Sequence, residues 1–123
     1  MKLIDSCGWL EFFTDGLRAS VYEKELTAKP EGILVPAIVI YEVYKFLYRT
    51  SGEETAIRCT GHMSQCEVID LDTSLAIESA EASLEHNLAM ADAIVYATSR
   101  RFGAKLVTSD TDLKGLPNVK FVK

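Results

Sequence analysis

Residues 92–110, DAIVYATSRRFGAKLVTSD, contain the clearest structural pattern of the chain. Residues 92–102 are predicted to form a helix, and Gly103 suits the position that caps its carboxyl end. Residues 105–109 are a short, mostly apolar run that predicts a buried strand soon after the helix. A helix that leads into a buried strand is typical of an α/β fold.

The same alternation of strands and helices extends over the rest of the chain. Short apolar runs predict further strands at residues 2–5, 33–35, 67–71 and 119–122. Helical spacing and capping residues predict helices over residues 9–13, 17–28, 36–50, 53–64 and 73–85, with a break at residues 29–32. Strands that alternate with helices predict a three-layer α/β/α sandwich around a mainly parallel sheet.

Two of these helices are predicted from apolar residues that recur at helical spacing. Leu17 and Val21 recur in the helix predicted over residues 17–28. In the helix predicted over residues 73–85, which Asp72 can cap, the apolar residues on roughly one side are Leu75, Ile77, Ala80 and Leu84.

Length and composition predict one folded domain over residues 1–123. A chain of 123 residues can bury about two-thirds of its unfolded surface, and 48% apolar residues suit a folded protein. The formal charge of −5 argues against broad, sequence-independent binding to nucleic-acid phosphates. The three cysteines predict neither a disulfide framework nor a zinc site. The start of the chain lacks a signal-peptide apolar region, and the apolar runs are too short to cross a membrane, so we expect a cytoplasmic protein.

Four acidic residues occupy positions that this fold would bring to one edge of the sheet. Asp5 and Asp110 follow predicted strands, and Asp92 opens the helix that leads to the strand before Asp110. Glu42 lies in the helix after the second strand. Ligands of open parallel sheets bind outside the carboxyl ends of the strands. The sequence therefore predicts that the four carboxylates converge there.

Each acid also has a simpler explanation. Glu42 can form a surface pair with Lys45, and Asp92 can interact favourably with the start of its helix. Asp5 can cap a following helix, and Asp110 can belong to a turn. None of these explanations accounts for four acids at a common edge. Clustered carboxylates repel unless a cation compensates them, and Mg²⁺ or Mn²⁺ accepts such oxygen ligands. Hydrolysis of phosphodiester bonds is the chemistry that fits such an ion.

Four segments of the chain are similar to the PIN-domain family, in particular to the small toxin ribonucleases of VapBC-type toxin–antitoxin pairs. They are Leu3-Ile4-Asp5-Ser6, Val35-Pro36 through Tyr41-Glu42-Val43, Ala91-Asp92-Ala93-Ile94 with Ala97-Thr98, and Leu106 through Leu113. The resemblance implies an α/β/α sandwich and an endoribonuclease that depends on Mg²⁺ or Mn²⁺. It also implies a homodimer and inhibition by a small antitoxin protein, and the short apolar runs predict no membrane association.

The resemblance also assigns roles to individual residues. Asp5, Glu42, Asp92 and Asp110 match the acidic quartet that binds metal and carries catalysis, and Asp112 matches a frequent further acid. Ser6 and Thr108 match small hydroxyl residues near the site. Leu113 stands where an aromatic residue is common.

Other residues are candidates for binding the RNA substrate or a protein partner. Lys45 and Arg49 can supply positive charge for RNA, whereas Arg100 and Arg101 better suit the carboxyl end of their helix. Aromatic residues better suit packing, a dimer interface or an antitoxin groove than base stacking; these are Tyr41, Tyr44, Tyr48, Trp9, Phe12 and Phe13.

Other protein classes fit the sequence less well. A response-regulator receiver requires an acidic pair after the first strand, and a haloacid-dehalogenase-type phosphatase requires Asp-x-Asp there. Asp5 is followed instead by Ser6 and Cys7. The alternative that stays open is a PIN-like binding or scaffold module without catalysis.

Overall fold

The computed structural model of the protein describes residues 1–27 and 32–123. Five parallel strands form the sheet, namely β1 (Lys2–Ile4), β2 (Ile33–Pro36), β3 (Glu67–Ile69), β4 (Lys105–Thr108) and β5 (Val119–Phe121). The helices are α1 (Ser6–Thr14), α2 (Ala19–Thr27), α3 (Ala37–Ser51), α4 (Glu53–Met63), α5 (Thr73–His86) and α6 (Met90–Phe102). A short 3-10 helix, Thr111–Leu113, follows β4. The predicted fold class is confirmed.

The strand order β3-β2-β1-β4-β5 determines where a ligand site can form. The chain builds β1, β2 and β3 in one direction and then returns to add β4 on the other side of β1. Residues of β1 and β4 pair in parallel, with Leu3 beside Leu106 and Ile4 beside Val107. Because loops diverge where the strand order reverses, the gap beyond the carboxyl ends of β1 and β4 is the expected ligand site.

The central strands are buried on both faces of the sheet. Leu3 and Ile4 are successive residues whose side chains point to opposite faces, and both are fully buried. Val35 of β2 and Val107 of β4 are fully buried as well. Helices must therefore cover both faces, which explains the continuous apolar runs in these strands.

Most predicted boundaries agree with the structure to within about two residues, as such assignments usually do. The start of α1 is the exception, because Ser6-Cys7-Gly8 are helical rather than a turn. The Asp5 side chain accepts a hydrogen bond from the Ser6 N–H, so it caps the helix immediately after β1. The predicted end of the second helix at Ala28 and most of the break at residues 29–32 lie outside the described residues.

The helices predicted over residues 17–28 and 73–85 form, but most of the apolar residues that indicated them are exposed. Leu17 lies outside α2 and is 99% exposed, while Tyr22 and Leu26 form the buried side of that helix. On α5, Leu75 is buried but Leu84 is 87% exposed. Ala82 is buried on this helix instead, and α5 packs against α6. None of the helices in the described ranges is long and apolar enough to span a membrane.

Candidate metal centre

Asp5 is the most buried acid of the site, with 5% of its surface exposed. It follows β1 directly, and its two carboxylate oxygens are both engaged. Oδ1 accepts a hydrogen bond from the Ser6 N–H, and Oδ2 accepts one from Thr108 Oγ1, each at 2.8 Å. Burial raises the pKa of Asp5, and the two hydrogen bonds lower it in part. The carboxylate is thus held in one orientation at the switch point of the sheet.

Asp92 and Asp110 converge on Asp5. Each of the three residues offers a carboxylate oxygen, and these atoms all lie within 4.8 Å of one another. Asp92 lies in the first turn of α6, and Asp110 follows β4 and caps the 3-10 helix. Burial raises the pKa of Asp92 to about 7, with further contributions from the negative charges of Asp110 and Asp5. The structure therefore brings together three of the four predicted acids.

Glu42 and Asp112 lie at the margin of this cluster. Glu42 is half-buried on α3, where burial and the charges of Asp5 and Asp110 raise its pKa. Asp112 is exposed, and its N–H donates a hydrogen bond to Asp110 Oδ1 at 2.9 Å. The negative charge of Asp112 contributes to the raised pKa of Asp92. Both acids are close enough to add negative potential without belonging to the group of three.

The simpler explanations hold for only some of the acids. Asp5 and Asp110 do cap helices, as the simpler explanation predicts. Both residues nevertheless also belong to the carboxylate cluster. The predicted pair between Glu42 and Lys45 does not occur among the described residues. Lys45 Nζ lies instead 3.4 Å from the Tyr41 hydroxyl. Capping and membership of a site are compatible roles for the same side chain.

Thr108 joins the two strand ends through its side chain. Besides donating to Asp5, Thr108 Oγ1 accepts a hydrogen bond from the Asp110 N–H at 3.0 Å. Ser6 donates its N–H to Asp5, and its hydroxyl lowers the pKa of the neighbouring Glu42 in part. Both predicted hydroxyl residues therefore contact acids of the cluster.

Three residues near the acids were not predicted. Cys7 Sγ lies 3.7 Å from Thr108 Oγ1 and accepts a hydrogen bond from the Ser109 N–H at 3.4 Å. The Tyr22 hydroxyl lies 2.6 Å from Ser109 Oγ. Cys7 and Ser109 could have been found from their position beside predicted site residues. Tyr22 has no such signal, because it lies in a helix distant in sequence from every strand end.

The predicted RNA-binding residues Lys45 and Arg49 lie beside the acids. They line a groove of about 340 Å³ that also contains Glu42, Ser6 and Phe46. Arg49 lies 5.8 Å from the centre of the Phe46 ring. Arg100 and Arg101 form ion pairs with Glu85 and Glu78 of α5, which agrees with the structural role expected for them.

The predicted aromatic residues divide between the core and the surface. Trp9 is buried and stacks on Phe13 with ring centres 5.7 Å apart, while Phe12 is partly buried. Tyr41 and Tyr48 are exposed on α3, with about half of their surface accessible. Trp9 therefore belongs to the core, Phe12, Phe13 and Tyr44 pack partly against it, and Tyr41 and Tyr48 lie at the surface.

The chemistry of this cluster suits a hard divalent cation. Its donors are carboxylate oxygens, which Mg²⁺ and Mn²⁺ accept. No lysine or arginine forms an ion pair with Asp5, Asp92, Asp110 or Glu42 in the described part of the chain. Partly buried carboxylates without a cationic partner must bind protons or a cation. The acidic triad can therefore bind a metal ion.

Comparison with known proteins identifies the family. Residues 2–119 match the family model of the PIN domain. The chain belongs to the PIN domain family. Among curated protein sequences, none matches this PIN domain significantly.

Solved structures share the fold of this PIN domain over nearly its whole length. A protein of a toxin–antitoxin complex from Klebsiella pneumoniae superposes with a TM-score of 0.82 at 25% identity, covering 98% of this chain and 96% of that chain. VapC20 from Mycobacterium tuberculosis superposes with a TM-score of 0.80 at 18% identity, with 98% and 99% covered. A chain of VapBC2 from Rickettsia felis, solved with a promoter DNA fragment, gives 0.76 at 18% identity, with 98% and 96% covered.

Proposed function

We propose that this PIN domain is a metal-dependent endoribonuclease and the toxin of a type II toxin–antitoxin pair. The observation that carries the proposal is the convergence of Asp5, Asp92 and Asp110 at the point where the strand order reverses. The likeness to the K. pneumoniae toxin–antitoxin complex supports the toxin assignment. VapC20 cleaves the sarcin–ricin loop, which supports RNA as the substrate. Residues 1–123 would act as a single nuclease domain in the cytoplasm, where RNA is available.

The acids divide into ligands of the ion and groups that act beside it. Asp5, Asp92 and Asp110 would hold Mg²⁺ or Mn²⁺, and Asp112 would add charge from the margin. When bound, such an ion activates water and stabilises the charge that develops on the phosphate. Glu42 would orient the attacking water or hold a second ion, because it lies beside the cluster without belonging to it.

Hydroxyl and basic side chains would complete the site. Thr108 and Ser6 would hold the carboxylates in position through the contacts that they already make. Lys45 and Arg49 would bind RNA phosphates, since they line the groove that contains Glu42. The local positive charge of this groove would offset the acidic total of the chain.

Protein partners follow from the same comparisons. The similar structures from K. pneumoniae and R. felis belong to toxin–antitoxin assemblies, which supports a small antitoxin as partner. Tyr41 and Tyr48 are exposed beside an apolar recess of about 720 Å³ on α3. Exposed aromatic surface of this kind supports a protein contact, and we propose a homodimer.

The decisive experiment measures metal binding and RNA cleavage separately. Mn²⁺ is expected to raise the melting temperature of the wild type and to support cleavage of structured RNAs. Asp92→Asn is expected to abolish cleavage and most of the Mn²⁺-induced shift, while circular dichroism shows an intact fold. Glu78→Gln is the matched control, because Glu78 is an acid on α5 that pairs with Arg101. A wild type with no Mn²⁺ response and no cleavage would indicate a catalytically silent binding module instead.

A further inference from the structure

Tyr22 is a buried tyrosine whose hydroxyl reaches the segment that carries Asp110. It lies on α2 and is fully buried, and its hydroxyl forms a hydrogen bond with Ser109 Oγ at 2.6 Å. Ser109 is the residue between Thr108, which contacts Asp5, and Asp110, which belongs to the carboxylate cluster. An ordinary tyrosine is protonated at neutral pH, and burial raises the pKa of Tyr22 still further.

Ser109 is held from two sides. Its N–H donates a hydrogen bond to Cys7 Sγ at 3.4 Å, and its hydroxyl contacts Tyr22. The next residue, Asp110, donates its N–H to Thr108 Oγ1 and then caps the 3-10 helix. A strand end that leaves the sheet would otherwise have few constraints on its direction. The contacts of Ser109 therefore act together with those of Asp110 itself in setting the direction in which the chain leaves β4.

The close approach of Tyr22 depends on Gly8. A Cβ atom on Gly8 would lie 2.4 Å from Tyr22 Cε1 and 2.7 Å from Ile4 Cγ2. Such distances are too short, so only glycine leaves room for the phenol ring between α1 and β1. A glycine inside a helix lowers its stability by up to about 1 kcal/mol relative to alanine. At Gly8, the lower helix stability comes with the space that the Tyr22 ring needs to reach Ser109.

We propose that Tyr22 is a positioning residue of the metal site, because it holds Ser109 and thereby places the Asp110 carboxylate beside Asp5 and Asp92. The inference rests on the proposed function, since the site that it positions is the proposed metal site. Tyr22 touches neither the ion nor the RNA in this role. Its contribution is the direction of the Thr108-Ser109-Asp110 segment.

Tyr22→Phe removes only the hydroxyl and retains the buried ring. Tyr96→Phe is the matched control, because Tyr96 is also buried and its hydroxyl donates to the Pro117 carbonyl, ahead of β5. Amide hydrogen exchange of the metal-free variants tests the positioning directly. Tyr22→Phe is expected to lose protection at the Ser109 and Asp110 amides but not at Val107, whereas Tyr96→Phe is expected to retain protection at all three.

Direct Mn²⁺ titration then tests the consequence for the site. Tyr22→Phe is expected to bind Mn²⁺ about tenfold more weakly, as loss of an outer contact commonly does, and Ser109→Ala is expected to match it. The double variant is expected to be little weaker than Tyr22→Phe alone, because both single variants lose the bond between Tyr22 and Ser109. Tyr22→Phe also removes the longer contact of its hydroxyl with Cys7 Sγ at 4.0 Å. If Tyr22→Phe shows the same amide exchange and the same Mn²⁺ affinity as the wild type, the inference is wrong and Tyr22 has only a structural role. If Mn²⁺ binds as expected but no RNA is cleaved, the proposed nuclease fails while the positioning role stands.

Discussion

Thr108 donates its hydroxyl hydrogen to Asp5 Oδ2 at 2.8 Å across the pair of strands that forms the switch point. Thr108 Oγ1 also accepts a hydrogen bond from the Asp110 N–H, so this one hydroxyl contacts two of the three clustered acids. A valine has nearly the same shape as threonine but offers neither interaction. The hydroxyl of Thr108 is therefore expected to matter for the site more than for the packing of β4.

Thr108→Val is expected to weaken Mn²⁺ binding by about tenfold or more, because Asp5 loses the contact that orients it. It is also expected to lower the free energy of unfolding by about 1–3 kcal/mol, since a buried acceptor is left unsatisfied. Thr98→Val is the control, because Thr98 is equally buried but donates to the Ile94 carbonyl within α6. Equal Mn²⁺ affinity in the two variants would show that the Thr108 hydroxyl does not organise the site.

The second prediction concerns the pH dependence of stability without metal. The pKa of Asp92 in the folded protein is about 7, above its ordinary value of 3.8, so the folded state binds the proton more tightly than the unfolded state. Stability is then expected to rise as pH falls from about 8 towards about 5. Urea unfolding in the presence of a chelator measures this slope.

Two further measurements separate the contributions of Asp92 and of the metal to this pH dependence. Asp92→Asn cannot ionise, so it is expected to flatten the slope and to be more stable than the wild type near pH 8. Saturating Mn²⁺ is expected to stabilise the wild type most at the alkaline end, where the carboxylates are charged. A wild type whose metal-free stability is constant between these pH values would contradict the raised pKa.

The third prediction concerns Glu25, which joins α2 to the sheet through two lysines. Glu25 Oε2 lies 2.6 Å from Lys2 Nζ of β1, and Oε1 contacts Lys120 Nζ of β5. Burial alone would raise the pKa of Glu25, but Lys120 and Lys2 hold it below its ordinary value of 4.5. The stability that Glu25 contributes is therefore present above about pH 4.5 and lost as pH falls through the lower folded pKa.

Glu25→Gln is expected to lower the free energy of unfolding at neutral pH by about 1–2 kcal/mol, less than a fully buried pair because both lysines reach solvent. The difference from the wild type is expected to shrink as the pH falls from 4.5 through the lower pKa of Glu25 in the folded protein. Glu78→Gln removes a more exposed pair on α5 and is expected to change stability by less than about 1 kcal/mol. Denaturation at several pH values compares the two; equal losses would show that burial gives Glu25 no special role.

Much of the candidate site can be predicted from the sequence, because strand ends and helix starts are recognised from local sequence patterns. Asp5, Asp92 and Asp110 were predictable because each follows a strand or opens a helix, and parallel strands bring such ends together. The bond between Tyr22 and Ser109 joins residues 87 positions apart and has no local signal. The apolar spacing also did not predict which side of α5 is buried. Leu84 of α5 is exposed, whereas Leu75 and Ala82 of the same helix are buried, and apolar spacing alone does not distinguish these positions.

The last prediction compares two helical glycines that differ in what surrounds them. Gly8 lies in α1 against Tyr22 and Ile4, whereas Gly61 lies in α4 with no atom within 4 Å of an added Cβ. Alanine has the higher helix propensity at both positions. Propensity alone therefore predicts that both substitutions stabilise the protein, and only the tertiary contacts give them opposite signs.

Gly61→Ala is expected to raise the free energy of unfolding by up to about 1 kcal/mol, since it adds helix propensity in open space. Gly8→Ala is expected to lower it by about 1–3 kcal/mol, because the methyl group must displace the Tyr22 ring or separate α1 from β1. Chemical denaturation measures both. Combining Gly8→Ala with Tyr22→Ala should recover part of the loss caused by Tyr22→Ala alone, because the methyl then occupies space that the ring has left. Stabilisation by Gly8→Ala alone would mean that α1 does not press against Tyr22.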